Sequence, residues 1–327
     1  MAVDDRTSRR TQFVRGCRRG RAVALGAVAA VAVGTTACAQ EADTADVAIG
    51  DVEYEATPEF VAAAAERSQA LPYRMEMRES LAGGDDVVVE TGEQDGERFY
   101  LRQDLGAPLA EVLLDGADVK FSIETVGDGS TLYVRLPEAL ATGVMIVPFG
   151  DLVDDLGGGW GRVDLDEVAD LLPGEQDTVG AIGTYDPRLF VDVVMKATDV
   201  KELGDDEIRG VAVTGLAAEV PYGDFLAAQS ISPGSIEAVN DITVPIEVWV
   251  DRRGLVRSVR FEFGRDAMAE ALGEEAIPSA FPVDVAFTLD LFDYGDKSID
   301  IELPADAVDV TDAFRKMLES STAVPVG

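Results

Sequence analysis

The sequence contains no histidine and only two cysteines, Cys17 and Cys38. Without histidine there is no Ser-His-Asp or Cys-His catalytic arrangement, no histidine zinc site and no imidazole acid–base chemistry. Residues 39–327 contain no thiol at all, so a disulfide, a thiol nucleophile and a thiolate metal site are excluded from them. Most mechanisms of hydrolytic enzymes are therefore excluded, and no cofactor is expected.

Basic residues are also scarce, with 27 Lys and Arg against 62 Asp and Glu and a formal net charge of −35. Such a field repels phosphate backbones, so nucleic acid is not expected as a partner. The same field keeps the body of the protein away from an anionic membrane surface. A hydrophobic content of 47% is sufficient for a core, so the chain is expected to fold. The simple alternative is that the acidity serves solubility alone.

What is present at the N-terminus is a secretory signal. Residues 1–21 carry seven arginines against Asp4 and Asp5, and residues 22–33 consist only of Ala, Val, Leu and Gly. A basic segment, a short apolar segment and small residues are the marks of an export signal. The apolar segment is shorter than the ~20 residues that span a bilayer. The sequence therefore predicts export rather than a transmembrane helix.

The residues that follow resemble a bacterial lipobox, in which small residues precede a cysteine that is acylated and becomes the new N-terminus. Here Gly34-Thr35-Thr36-Ala37 precedes Cys38, with Thr35 where leucine is usual. The resemblance implies that Cys38 carries fatty chains such as palmitate and holds the protein on the extracytoplasmic side of the cell membrane. The alternatives are an uncleaved anchor or ordinary cleavage near Ala39. Both Sec and twin-arginine export stay open.

Three regions are predicted along the chain. Residues 1–37 form the lipoprotein signal peptide, and residues 38–57 form an acidic linker after the lipidated cysteine. From Ala39 to Thr57 the linker has six acids and no base, so like charges extend it to as much as ~60 Å. Residues 58–327 are predicted to form a single domain.

Strand patterns dominate that domain. Apolar residues alternate with polar ones in Tyr73–Met77, Val119–Ile123, Leu132–Leu136 and Val283–Leu291, as in strands with one buried face. A hairpin is predicted over Val244–Phe263, with Asp251-Arg252-Arg253-Gly254 as its turn. This alternation places Trp249, Val256 and Arg260 on the face opposite Val248, and predicts that a loop or helix covers Trp249.

Four helices are predicted from their N-terminal signals. They begin at Thr57-Pro58, running to about Leu71, at Asp164 with Glu167 in a capping box, at Asp186-Pro187 and at Thr311. About ten strands with a few helices indicate the α+β class with a largely antiparallel sheet.

Several segments together resemble actinobacterial lipoproteins of the LppX/LprG type, relatives in fold of the periplasmic carrier LolA. They occur in the family's order over most of the mature chain: Gly159-Trp160-Gly161-Arg162-Val163-Asp164, Asp186-Pro187, Ile208-Arg209-Gly210-Val211 at the place of a family strand, Val244–Asp251 with Gly254-Leu255-Val256-Arg257, and Phe292-Asp293-Tyr294-Gly295. One departure is Val213-Thr214-Gly215, where relatives often have a His-Tyr pair.

The resemblance implies a curved antiparallel half-barrel with helices over its concave face and space between them for a lipid or other hydrophobic molecule, bound without a chemical step. The candidate lining residues are Val119, Phe121, Ile123, Phe190, Val194, Phe261, Phe287 and Leu289. The same residues suit a filled core equally well. The alternative function is therefore a non-enzymatic interaction or sensor lipoprotein that serves another envelope protein, with Trp249 in an apolar surface patch. A carboxylate-based enzyme is a third hypothesis.

Overall fold

The computed structural model describes residues 52–81, 86–105, 121–137, 156–168, 171, 187–221, 223–224, 243–264 and 284–322. All of them belong to one compact unit, residues 43–327. The helices are α1 (Pro58–Gln69), α2 (Leu165–Val168), α3 (Pro187–Val194) and α4 (Thr311–Thr322). The strands are β1 (Tyr73–Leu81), β2 (Asp86–Asp95), β3 (Arg98–Leu105), β4 (Phe121–Asp128), β5 (Thr131–Arg135), β6 (Gly161–Asp164), β7 (Thr198–Ile208), β8 (Val211–Pro221), β9 (Thr243–Asp251), β10 (Val256–Gly264), β11 (Asp284–Phe292) and β12 (Val308–Asp309).

These strands form one twelve-stranded sheet in the order β12-β6-β5-β4-β3-β2-β1-β11-β10-β9-β8-β7. Every neighbouring pair is antiparallel except β12 and β6, which are parallel. The predicted α+β class with a large antiparallel sheet is confirmed, and the sheet is consistent with a curved half-barrel. We call the face that carries Met77, Leu289 and Val248 the core face, and the face that carries Glu76, Asp290 and Trp249 the outer face.

The predicted hairpin is present as β9 and β10, and its turn has the expected chemistry. Gly254 has φ +72, in the left-handed region that glycine adopts without strain. The Oδ1 atom of Asp251 accepts hydrogen bonds from the backbone N–H groups of Arg253 at 2.9 Å and Leu255 at 3.0 Å. Asp251 therefore fixes the turn from its first position, as an Asp at this place is expected to do.

One facing prediction in this hairpin is wrong. A β-bulge between Val256 and Ser258 pairs Val256 with Val250, so Val256 lies on the core face rather than beside Trp249. Arg257 occupies the bulge, where its guanidinium donates to Oδ2 of Asp251 at 2.9 Å in a buried ion pair. The alternation of apolar and polar residues does not reveal the bulge, because it assumes that successive residues always point to opposite faces. A bulge adds one residue to one strand and so changes which face the next residues occupy.

Two further local predictions are corrected. Arg209 and Gly210 do not continue a strand but form the β7–β8 turn, with φ values of 50 and 82, which suit a tight hairpin turn. Asp164 does begin a helix, α2, but no capping box closes. Its backbone N–H donates to Oγ1 of Thr311 at 3.0 Å instead of to Glu167, while its Oδ1 accepts from the N–H of Asp166 at 3.1 Å.

Helix α1 begins where its cap predicts, because Oγ1 of Thr57 accepts from the N–H of Phe60 at 3.2 Å. Its buried apolar side chains, Val61, Ala64 and Ala65, belong to the main core cluster together with the core face. The N-terminal turn of α3 is likewise at the predicted place. Gln69 joins the two helices, since its Nε2 donates to Oδ1 of Asp192 at 2.7 Å.

The last residues of the predicted linker, 52–57, lie against the body. The N–H of Val52 donates to the carbonyl oxygen of Arg252 at 3.1 Å. The rings of Tyr54 and Phe60 meet edge to face at 5.1 Å. Burial, with the nearby carboxylates of Glu202 and Asp205, raises the pKa of Tyr54 to about 12. The chain thus enters the body beside the β9–β10 turn.

Candidate ligand-binding face

Cross-strand register brings the predicted lining residues of the described strands onto one face. Residues paired across neighbouring strands share a face, and one transverse row of pairs runs from Ile123 through Gln103, Glu90 and Met77 to Leu289. The adjacent row contains Phe287 paired with Phe261. The core face therefore carries predicted residues from both halves of the sheet.

Five of the eight predicted residues have described side chains, and all five are buried in the main core cluster, with exposures between 1% and 6%: Ile123, Val194, Phe261, Phe287 and Leu289. Val119 lies outside the described residues. The backbones of Phe121 and Phe190 lie in β4 and α3, but their side chains are outside the described part. Cys38 also lies outside it.

The half of the core face formed by β8–β11 is apolar. Phe261 and Phe287 stack with their ring centroids 4.8 Å apart and their planes at 26°, an arrangement that contributes about 0.5–1.5 kcal/mol beyond area burial. Aliphatic side chains continue the surface on both sides of this pair, and the buried ones include Leu216, Ala218, Val220, Val244, Ile246, Val248, Val250, Val256, Val259, Leu289 and Leu291.

The half formed by β1–β4 carries a diagonal row of polar side chains, which we call the polar stripe: Glu79, Glu90, Gln103 and Thr125. Glu90 and Gln103 are paired in the register, and Nε2 of Gln103 donates to Oε1 of Glu90 at 2.8 Å. Glu79 and Thr125 stand diagonally before and after them. Buried polar groups are costly without partners, so a stripe across a core face is unusual.

Burial sets the electrostatics of the polar stripe. Glu90, Gln103 and Thr125 are 4% exposed or less, and burial raises the pKa of Glu79 above its ordinary value. Oγ1 of Thr125 is buried and makes no hydrogen bond within the described structure. The stripe can thus accept and donate hydrogen bonds next to an apolar surface. Sequence reasoning missed it, because the facing of β2 and β3 depends on a register that neither strand specifies alone.

Trp249 is not part of a surface patch. It is 8% exposed and clusters with Ile208 and Val213 of the β7–β8 hairpin, and its ring lies over Gly215, the residue paired with it on β8. Trp249 is therefore covered, as predicted, but the β7–β8 hairpin supplies the cover and not the loop or helix that was expected. The assignment of Trp249 to an exposed interaction patch is wrong.

A groove of about 710 Å³ crosses β7–β11. Two predicted residues, Phe261 and Phe287, border it, but most of its lining positions belong to the outer face: Lys201, Ala217, Glu219, Pro245, Glu247, Arg260, Glu262, Ala286 and Thr288. This groove is therefore distinct from the predicted site on the core face.

Two negative findings apply to the described ranges only. No group of three or more acidic, histidine or cysteine side chains there is arranged to hold a metal ion. Among the same residues, no helix is both long enough and apolar enough to cross a membrane.

No protein-family model and no curated protein matches the chain. Solved structures do resemble it. Lipoprotein LppX of Mycobacterium tuberculosis is 9% identical with a TM-score of 0.41, covering 79% of this chain and 100% of its own. LprF from Mycobacterium bovis is 12% identical with a TM-score of 0.41, covering 78% and 100%. A LolA superfamily protein from Nitrosomonas europaea is 9% identical with a TM-score of 0.23, covering 76% and 96%. Likenesses this distant indicate nothing about function.

Proposed function

We propose that the protein is an exported lipoprotein, anchored through Cys38, that binds the apolar part of a lipid or other hydrophobic molecule at the core face. The observation that carries this proposal is the asymmetry of the core face, which is apolar throughout on β8–β11 and carries the polar stripe among apolar side chains on β1–β4. An amphipathic ligand matches both halves, with its chains against the Phe261–Phe287 pair and its polar group at the stripe.

Binding of this kind needs no chemical step. Each Å² of apolar ligand surface removed from water contributes about 25 cal/mol, and hydrogen bonds to the polar stripe fix the orientation of the ligand. The absence of histidine from the sequence fits such a non-catalytic role.

The competing function, an interaction lipoprotein with a filled interior, is favoured by one observation. All five described lining residues belong to a single contiguous core cluster, as they would in a packed core. The two functions differ in whether space remains between the sheet and its cover, so they differ in how the protein tolerates a larger side chain there.

Neighbouring alanines on β8 provide a matched pair for this test. Ala218 is 3% exposed and lies on the core face beside Ile246, whereas Ala217 points to the outer face beside Glu247. Ala218→Leu adds apolar volume inside, and Ala217→Leu adds the same volume outside. A fluorescent acyl-chain probe and urea unfolding are measured for both variants and for the unsubstituted protein.

We expect the unsubstituted protein to bind the probe saturably, with an affinity that Ala218→Leu lowers at least fivefold and Ala217→Leu leaves unchanged. The unfolding free energies of the three proteins should lie within about 1 kcal/mol of each other. The opposite result is an unsubstituted protein that does not bind the probe, together with a loss of about 1–3 kcal/mol of unfolding free energy in Ala218→Leu through overpacking. That result would show a filled core and would contradict the carrier function.

A further inference from the structure

Three buried polar atoms on the outer face make no hydrogen bond within the described structure. They are Nε1 of Trp249, Oγ of Ser258 and Oδ1 of Asp290. The register pairs Ser258 with Trp249 on one side and with Asp290 on the other, so the three side chains stand next to one another in one transverse row. Buried polar groups without a partner are rare in proteins, and three adjacent ones point to a common partner.

The β7–β8 hairpin forms a roof over this row. On one side of Ser258, the hairpin packs against Trp249 in a small apolar cluster. On the other side, Arg209 at the hairpin tip donates to Oε2 of Glu76 at 2.9 Å, and Glu76 is the residue paired with Asp290 on β1. The hairpin is thus attached on both sides of Ser258, which is 0% exposed.

The sizes of the side chains leave room for a small partner at the centre of the row. Ser258 has the shortest side chain of the three and stands between the longer Trp249 and Asp290. A Cβ atom added to Gly215 on β8 would lie 2.7 Å from Cζ3 of the indole, and Cζ3 lies across the ring system from Nε1. The indole N–H is therefore on the side of the ring that faces β10 and Ser258.

The chemistry of the three atoms selects a partner that both donates and accepts hydrogen bonds. An indole N–H only donates, so Trp249 needs an acceptor, whereas a carboxylate oxygen only accepts, so Asp290 needs a donor. A metal or ammonium cation has no lone pair for the indole N–H, and an anion such as chloride has no proton for the carboxylate. A water molecule has both capacities, and buried waters typically make about three hydrogen bonds to groups of this kind.

We propose that one water molecule is held beneath the hairpin, where it accepts from Nε1 of Trp249, donates to Oδ1 of Asp290 and bonds to Oγ of Ser258. Because the hairpin covers it, this water exchanges with solvent only when the hairpin lifts from the outer face. The lifetime of the water in the site therefore reports the opening of the hairpin, which Arg209 opposes through its ion pair with Glu76. This inference depends neither on export nor on a ligand at the core face.

The first measurement follows the indole N–H of Trp249 by NMR in the folded protein, with Trp160→Phe removing the other of its two tryptophans. A water that stays longer than the protein takes to tumble gives Overhauser effects of opposite sign in the laboratory and rotating frames, whereas passing solvent gives the same sign. We expect opposite signs, and we expect them to persist in Ser258→Ala because two partners remain. Effects of the same sign overturn the proposal, as does their loss in Ser258→Ala, which would identify the serine hydroxyl as their source.

The second measurement is magnetic relaxation dispersion of water deuterons, which gives the number and the lifetimes of trapped waters. Arg209→Ala should shorten the lifetime of one trapped water about fivefold, the factor expected for loss of a partly exposed ion pair. The matched control is Arg162→Ala, which removes an ion pair with Asp309 at the opposite end of the sheet and should leave all lifetimes unchanged. Lifetimes that are the same in both variants would overturn the proposal that the hairpin holds the water in place.

Discussion

Arg209 and Glu76 are 133 residues apart in the chain, yet Nη2 of the arginine donates to Oε2 of the glutamate at 2.9 Å. Three strands, β9, β10 and β11, lie between β8 and β1 in the sheet. At about 4.8 Å per strand this is a separation of about 19 Å, well beyond the reach of one side chain. The tip of the β7–β8 hairpin must therefore fold over the outer face, where Arg209 also stacks on Phe292 with 4.0 Å from its guanidinium carbon to the ring centroid.

Replacing Arg209 should loosen this hairpin tip and expose Trp249. The ion pair is partly exposed, so Arg209→Ala should cost no more than about 1 kcal/mol of unfolding free energy. The sensitive readout is acrylamide quenching of Trp249 fluorescence in a Trp160→Phe background, which should increase. Arg162→Ala, which removes a comparable surface ion pair with Asp309, should leave quenching unchanged. Equal quenching in both variants would show that Arg209 does not hold the tip.

Gly215 is required by the ring of Trp249. A Cβ atom at position 215 would lie 2.7 Å from Cζ3 of that ring, so Gly215→Ala should cost about 1–3 kcal/mol of unfolding free energy through overpacking. Most of this cost should vanish when Gly215→Ala is combined with Trp249→Leu. Urea unfolding of the four proteins in the cycle measures the coupling. Simple additivity of the two substitutions would rule out the contact as the cause.

Ser68 and Tyr294 hold the backbone of Val256 from two sides. The N–H of Val256 donates to Oγ of Ser68 at 2.9 Å, and the Tyr294 hydroxyl donates to its carbonyl oxygen at 2.6 Å. Ser68→Ala leaves a buried N–H without an acceptor and should cost about 1–3 kcal/mol in urea unfolding. Ser298→Ala, at an exposed serine bonded to Asp296, should change the free energy by less than about 0.5 kcal/mol. A loss for Ser68→Ala as small as that of the control would show that the buried N–H finds another acceptor.

Glu79 should make stability fall as the pH rises. Burial raises its pKa in the folded protein above its ordinary value, so the native state holds its proton over a range where the unfolded state has lost it. The contribution of the protonated Glu79 to stability is complete below the pKa that this side chain has in the unfolded state. It is lost as the pH rises through the higher pKa that the side chain has in the folded state. Glu79→Gln should therefore be more stable than the unsubstituted protein at about pH 7, and the difference should shrink towards about pH 4, near the unfolded pKa of a glutamate. Glu97→Gln, which removes a carboxylate at an exposed position, is the control. A pH profile of Glu79→Gln that is identical to the profile of this control would contradict the prediction.

Local chemistry predicted much of this structure. The Asp251–Gly254 turn, the cap at Thr57 and the alternation in β1 and β11 are each encoded within a few neighbouring residues. These features can be predicted from the sequence because a turn, a helix start and the two faces of a strand depend on neighbouring residues and not on distant parts of the fold.

Features that depend on distant partners could not be predicted. The bulge at Arg257 accompanies a buried ion pair with Asp251 and backbone bonds to Ser68 and Tyr294, which are 188 and 38 residues from Val256. The polar stripe requires the β2–β3 register that places Glu90 opposite Gln103. Alternation gives each strand two faces but does not choose the register of its neighbours.

The central claim, that the core face holds an apolar ligand, is tested most directly by mass spectrometry of organic extracts from the folded protein purified from its own envelope. The lipid proposed at Cys38 would be covalent and would stay with the polypeptide, so a lipid found in the extract is one that was bound non-covalently. We expect one class of amphipathic lipid in near-stoichiometric amount, reduced by Ala218→Leu and unaffected by Ala217→Leu. Extracts of the unsubstituted protein that contain no lipid above the level of a control purification would contradict the claim.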